Sequence, residues 1–328
     1  MYKSILHEDG SIESAGLIAS TENPAFLTKS LDGKYLIAVN EIKNENGVGR
    51  VESYRVEKDT LILQNRSSSG GAHPCHVTIN ESGFVLVSNY SGGSMGLLHL
   101  EADGRLSELL DLIQHTGSGT TDRQLGPHAH SAVFETGGKG IISADLGTNE
   151  LWFYRIDPAL RKFDTTEQFR IRMAPGAGPR HFVMQTANHR IYVLNELDCT
   201  VTLINRSEQG NYYSAASYST LPDNYQETNT CADIHISSDG RFLYASNRGH
   251  NSIVIFRIEP SDGSLEYLAH EPTRGDRPRN FAISPDGKYL LAANQNSNNI
   301  VVFKRDRETG MLEYISQVEA PTPVCILF

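Results

Sequence analysis

The sequence of 328 residues has only four cysteines, at positions 75, 199, 231 and 325, and no two of them form a Cys-x-x-Cys pair. That spacing excludes a zinc knuckle, a dithiol redox motif and a small disulfide scaffold, and predicts reduced, mostly buried thiols. Basic residues are outnumbered, 29 against 39 acidic for a net charge of -10, and they gather nowhere into a stripe. Nucleic acid is therefore not an expected partner. A few arginines converging in one pocket would still create a local field for an anion. No apolar run approaches the roughly eighteen residues of a membrane span, and the opening "MYKSILHEDGSIESAG" lacks a basic start followed by an apolar core. A soluble, cytoplasmic protein is expected. Helix signals are scarce, and there is no Gly-x-Ser-x-Gly elbow, Gly-rich phosphate loop or kinase signature.

What the sequence does contain is a repeat. "NPAFLTKSLDGKYLIAVNE", "HPCHVTINESGFVLVSNY", "HAHSAVFETGGKGIISADL", "GPRHFVMQTANHRIYVLNE", "CADIHISSDGRFLYASNRG" and "RPRNFAISPDGKYLLAANQ" align on a hairpin turn. The units begin at Pro24, Pro74, Ala129, Pro179, Cys231 and Pro278, with a seventh start at Pro323, spaced by 45 to 55 residues. Each reads as four antiparallel strands separated by Asp, Gly and Asn turns. Strands such as "YLLAA" and "IVVF" are apolar without alternation, which predicts burial on both faces. Sheets stacked face to face around an axis provide that burial, so the fold expected is an all-β, seven-bladed β-propeller forming one domain over residues 1–328. Residues 2–6 and 12–19 match third and fourth strands, and residues 323–328 match a first strand. Their pairing would close the ring in blade seven. No stretch supplies that blade's second strand, which predicts either a three-stranded blade or a natural chain beginning upstream of Met1.

The repeat also acts as an internal control, because residues common to most blades are scaffold and residues that depart from the pattern are candidates for function. The residue closing each second strand, Asn40, Asn89, Asp145, Asn195, Asn247 and Asn294, is scaffold by this test and suits an Asx-type turn. The start of strand one and the end of strand two lie at the same end of a blade. Reading those positions around the expected ring brings His76, His130, Arg180, His181, Glu196, Arg248 and Arg279 to one mouth, joined by His73 and His128. No core argument requires them there. Any one alone reads most simply as an ion pair or a satisfied histidine, whereas the set reads as a polar site for an anionic, hydroxyl-rich ligand. The blades separate His73 and His76 from His128 and His130, and neither group has a fixed coordination geometry, so neither a metal nor any other cofactor is expected.

Taken together, "GAHPCHV", "SNYSGGS", "LGPHAHS", "GPRHF", "YVLNE" and "ASNRG" resemble the seven-bladed propeller lactonases over essentially the whole chain. That family groups 6-phosphogluconolactonases of the cycloisomerase-2 type with carboxy-cis,cis-muconate cyclase. The resemblance implies a metal-independent enzyme that opens or forms a lactone, with functional positions on the histidine of "GPHAH" (His128 or His130), Arg180, Glu196 and Arg248. The expected reaction is hydrolysis of 6-phosphogluconolactone. Arg180 and Arg248 would stabilise the oxyanion or clamp the phosphate, Glu196 would orient Arg180 or the water, and His130 would act as general base. His73, His76, His128, His181 and Arg279 would contact the small anionic substrate. The alternatives are a muconate-type lactonising cyclase and a non-enzymatic binding propeller. A monomer is the expected state.

Overall fold

The computed structural model describes residues 1–185 and 189–328. Among the described residues there are 26 strands, β1 to β26 in chain order, and a single short 3-10 turn at Asp122–Gln124. No helix there is long and apolar enough to cross a membrane. Six four-stranded antiparallel sheets occupy residues 24–68, 74–114, 129–172, 179–219, 230–272 and 278–319, and in each of them sequential strands are neighbours. These are the blades expected from the repeat, and the chain is an all-β propeller.

Two compact units make up the chain, one of Met1 and Leu17–Pro179, the other of Tyr2–Gly16 and Arg180–Phe328. In the first unit the leading strands of its three sheets are β3 (Pro24–Lys29), β7 (Pro74–Ile79) and β11 (Ala129–Phe134), each followed by a partner, β4 (Tyr35–Asn40), β8 (Phe84–Asn89) or β12 (Gly140–Asp145). β3 and β4 pack on β7, and β11 packs on β7 and β8. Ile37, Val39, Val77, Val85 and Val87 fill one junction; Leu86, Met95, Leu97, Ile141 and Trp152 fill the next. Burial of both sheet faces accounts for the unbroken apolar runs, each fully buried aliphatic side chain contributing roughly 1.5–3 kcal/mol.

In the second unit the leading strands are β15 (Pro179–Gln185), β19 (Thr230–Ile236) and β23 (Pro278–Ile283), with partners β16 (Arg190–Asn195), β20 (Phe242–Arg248) and β24 (Tyr289–Asn294). β16 packs on β19, and β19 and β20 pack on β23. β1 (Tyr2–Leu6) and β2 (Ile12–Leu17) form a further two-stranded sheet. Residues 323–328, read from the sequence as a first strand, have no strand assignment. Ile326 and Phe328 nonetheless share an apolar cluster with Leu6, Ile12, Tyr289 and Leu291, and the Ile326 N–H donates to Asn280 Oδ1 at 2.7 Å.

Three local devices repeat. In the Asp-Gly hairpins Ser30, Ser237 and Ser284 donate to Asp32, Asp239 and Asp286 at 2.7, 2.6 and 2.7 Å, while Gly33, Gly240 and Gly287 take φ of 70, 71 and 70°. Only glycine adopts that left-handed turn position without strain. The fully buried residue closing strand two is scaffold, but mostly by reaching back along the chain. Asn40, Asn89, Asn247 and Asn294 donate to the backbone carbonyls of Glu22, Ser69, Thr220 and Thr273 in the preceding connection. Asp145 makes an Asx-type contact, accepting from the Thr148 N–H at 2.8 Å. Thirdly, the ladder slips at the start of the leading strand. Pro24 pairs with Asn40 but Phe26 with Val39, the same slip follows Pro74, Ala129 and Pro278, and a wider one that leaves residues 232 and 233 unpaired follows Cys231. Each is a β-bulge, which frees residues from the ladder and re-aims their side chains. Ala25, Cys75, His130, Ala232 and Arg279 stand at these bulges.

Candidate active site

In the second unit β15, β16, β19 and β20 bring three of the predicted residues together. Arg180 near the start of β15 and Arg248 at the end of β20 converge on Glu196, the residue after β16. The Arg180 Nε lies 2.9 Å and the Arg248 Nη2 2.8 Å from the same Glu196 Oε2. All three side chains are buried, at 2%, 5% and 7% exposure. Two guanidiniums facing one carboxylate leave an excess positive charge in a place with little water. Burial, and then the field of Arg248, pushes the Arg180 guanidinium down to about 9, which still leaves it charged at neutral pH. Burial lowers Arg248 as well, Glu196 opposing the shift and Arg279 adding to it. The Arg248 Nε is buried with no hydrogen-bond acceptor among the described residues.

The backbone of residues 231–233 forms the floor under these cations. Arg248 Nη2 donates to the Cys231 carbonyl at 2.7 Å, Arg180 donates to the Ala232 carbonyl, and the Cys231 N–H donates to the Glu196 carbonyl at 3.1 Å. His181 donates from Nδ1 to Asp233 Oδ1 at 2.8 Å. Burial, followed by the nearby Arg180, pushes the His181 imidazole down to about 4. It is therefore neutral at pH 7, and its bond to the carboxylate fixes the proton on Nδ1 and the basic lone pair on Nε2. Arg279 stands at the β23 bulge, half-buried, and its charge acts on both Arg180 and Arg248.

The predicted histidines of the first unit have a different character. His130, buried at the β11 bulge, lies with Nδ1 3.8 Å from Cys75 Sγ and edge-on to Tyr90 at 5.4 Å. His128 stacks on Tyr90 at 4.6 Å, 13° from parallel, with Nδ1 3.0 Å from the Tyr90 carbonyl oxygen. His76 packs on Phe26 at 4.5 Å and accepts the Ala132 N–H at 3.4 Å. His73 has a left-handed φ of 52°. Its Nδ1 is buried without a hydrogen-bond partner among the described residues.

Asp233 and Asn280 were absent from the sequence-derived set. Asp233 is 3% exposed and joins His181 to His235 at 3.1 Å and to Asn280 at 2.6 Å. The available signal was positional, since Asp233 and Asn280 occupy the same repeat position as His181. All four cysteines are free thiols, three of them buried and Cys325 half-buried. Among the described residues no group of three or more His, Cys, Asp or Glu is arranged to hold a metal ion.

Comparison with known proteins adds independent findings. The family model for "Lactonase, 7-bladed beta-propeller" matches residues 2–328. The chain is 38% identical over 286 residues to the 6-phosphogluconolactonase of Formosa agariphila, covering 84% of this chain and 79% of that one. It is 32% identical over 278 residues to the 6-phosphogluconolactonase of Bacillus subtilis, covering 84% and 78%. Among solved structures, the periplasmic gluconolactonase PpgL of Pseudomonas aeruginosa superposes with a TM-score of 0.90 at 31% identity, over 96% of this chain and 90% of that one.

Proposed function

Because this chain belongs to the seven-bladed β-propeller lactonase family, we propose that it is a lactonase that hydrolyses 6-phosphogluconolactone to 6-phosphogluconate. The observation that carries the reading is the buried pair Arg180 and Arg248 on the single carboxylate of Glu196. Water attack on a lactone carbonyl places negative charge on its oxygen, and preorganised cationic donors in a dry site stabilise that charge most. Glu196 holds both guanidiniums in place. With one carboxylate shared between them, the pair keeps a net charge for the oxyanion. Arg279, less buried, suits the substrate's phosphate, and neutral His181 suits its hydroxyls. Guanidiniums do here what a Lewis acid would do elsewhere, so the reaction is read as metal-independent.

His130 keeps the general-base role as a separate proposal. Its replacement by Asn is expected to cost on the order of 100-fold in kcat. The same reading takes residues 1–328 as one propeller domain, monomeric and cytoplasmic. It takes β1, β2 and residues 323–328 as parts of the seventh blade, supported by the cluster of Leu6, Ile12, Ile326 and Phe328. The deciding assay follows fresh 6-phosphogluconolactone against its spontaneous hydrolysis, with and without chelator. A rate above background that chelator leaves intact is expected; a rate equal to background rejects the activity.

A further inference from the structure

We propose that Asp233 is a positioning residue for this reaction, fixing the bulged segment 231–233 on which both arginines, Glu196 and His181 rest. The inference depends on the lactonase reading above.

β19 and β20 run in register through Cys231 and Asn247, then resume at Ile234 and Ala245. Residues 232 and 233 are therefore released from the ladder, where the Asp233 N–H donates to Ser246 Oγ at 3.0 Å, and the Ala232 carbonyl and the Asp233 side chain serve the site. Four attachments follow within three residues. The Cys231 N–H holds the Glu196 backbone, the Cys231 carbonyl holds Arg248, the Ala232 carbonyl holds Arg180, and the Asp233 side chain holds His181. A segment outside the ladder needs another anchor, and the Asp233 carboxylate provides one.

Among the described residues that carboxylate accepts five nitrogen donors. Oδ1 takes His181 Nδ1 at 2.8 Å and the Ile234 N–H at 3.1 Å. Oδ2 takes His235 Nε2 at 3.1 Å, Asn280 Nδ2 at 2.6 Å and the Phe281 N–H at 3.2 Å. The donors come from β15, β19 and β23, so one side chain ties three leading strands of the unit together. Burial alone would raise this carboxylate; His235 and His181 outweigh it and hold Asp233 well below the usual range. An ionised acceptor with its lone pairs occupied has little freedom to move, and neither has the backbone beside it. Because the carbonyls of residues 231 and 232 receive the guanidiniums, a shift of this segment would move both donors away from the developing oxyanion.

The test is Asp233→Asn, measured as kcat and KM separately on protein whose circular dichroism matches wild type. Loss of the anchor is expected to lower kcat 10- to 100-fold with KM within about threefold. His235, raised overall because Asp233 outweighs its burial, should titrate at lower pH in the variant by NMR. His181→Gln combined with Asp233→Asn should lose less than the product of the two single losses, since both act through one contact. A folded Asp233→Asn protein with wild-type kcat overturns the proposal, as does full multiplicativity in the double variant. Should Asp233→Asn fail to fold, Asn280→Ala removes the shortest donor to the carboxylate. A several-fold fall in kcat is then expected, and an unchanged kcat overturns the proposal. Wild-type protein at the background rate rejects the lactonase reading itself, whereas an active wild type with an unaffected variant rejects only the role of Asp233.

Discussion

The two units each hold carboxylates clasped by two arginines, and the difference between them separates scaffold from site. In the first, Glu52 takes Arg50 at 3.2 Å and Arg66 at 2.7 Å, and Glu150 takes Arg170 at 3.3 Å and Arg172 at 3.2 Å. The carboxylates are buried, but the arginine side chains are 28%, 51%, 44% and 73% exposed. Their charge is solvated, and Glu52 receives further neutral donors from Thr21 and Tyr54. In the second unit Arg180 and Arg248 are 2% and 5% exposed. Burying two cations on one anion costs stability that an apolar replacement would avoid. Pairing alone therefore says little about function. Burial of the cations is the informative feature.

The largest expected effect tests this directly. Arg180→Ala should lower lactonase kcat on the order of 100- to 1000-fold, with the fold retained by circular dichroism. An unchanged rate would remove Arg180 from the mechanism and leave the buried triad as scaffold.

Next comes the pH dependence of stability. Unfolded His181 titrates near 6.5 and folded His181 at about 4, so between these values the unfolded chain binds more protons. Stability contributed by this group is complete above pH 6.5 and is lost as pH falls towards 4, by about 3 kcal/mol. His235 works in the opposite sense, since its raised value adds stability that disappears as pH rises through it. Denaturant midpoints of wild type and His181→Asn from pH 7 to 4 should differ in slope; parallel curves would contradict the assignment.

The first unit should respond in stability and not in turnover. Glu52→Gln strips the buried charge from Arg50, Arg66 and Tyr54 and should destabilise by about 1–3 kcal/mol. Arg66→Ala, at a half-exposed cation, should cost about 1 kcal/mol or less. Both should keep wild-type kcat, and a fall of tenfold or more in either would erase the distinction between the triads.

The repeat was legible because turn chemistry and two-sided burial leave strong local marks. Five of the six leading strands begin at the residue the repeat marked, and Cys231 is the second residue of the other. Arg180, Glu196 and Arg248 were legible because each departs from the repeat with a charge. Asp233 was not, because a lone aspartate at a repeat position looks like turn chemistry until its five donors are seen. The strand-closing asparagines were recognised as scaffold, yet the backbone partners of Asn40, Asn89, Asn247 and Asn294 lie 18 to 27 residues upstream, a distance that local turn reasoning does not span. Residues 323–328 matched a first strand in pattern, but they have no strand assignment, and the side chains of Ile326 and Phe328 pack with those of Leu6 and Ile12 from β1 and β2.

The slipped ladder at the head of five leading strands has an evolutionary corollary. A residue outside the pairing pattern can change without breaking a ladder hydrogen bond, and the blades display the variety that follows, with Ala25, Cys75, His130, Ala232 and Arg279 in equivalent places. These slots form a small alphabet that selection can rewrite one letter at a time. A laboratory library confined to Arg279, the half-buried slot, should retune which acyl compounds are accepted while sparing solubility and yield, since the ladder does not read that letter.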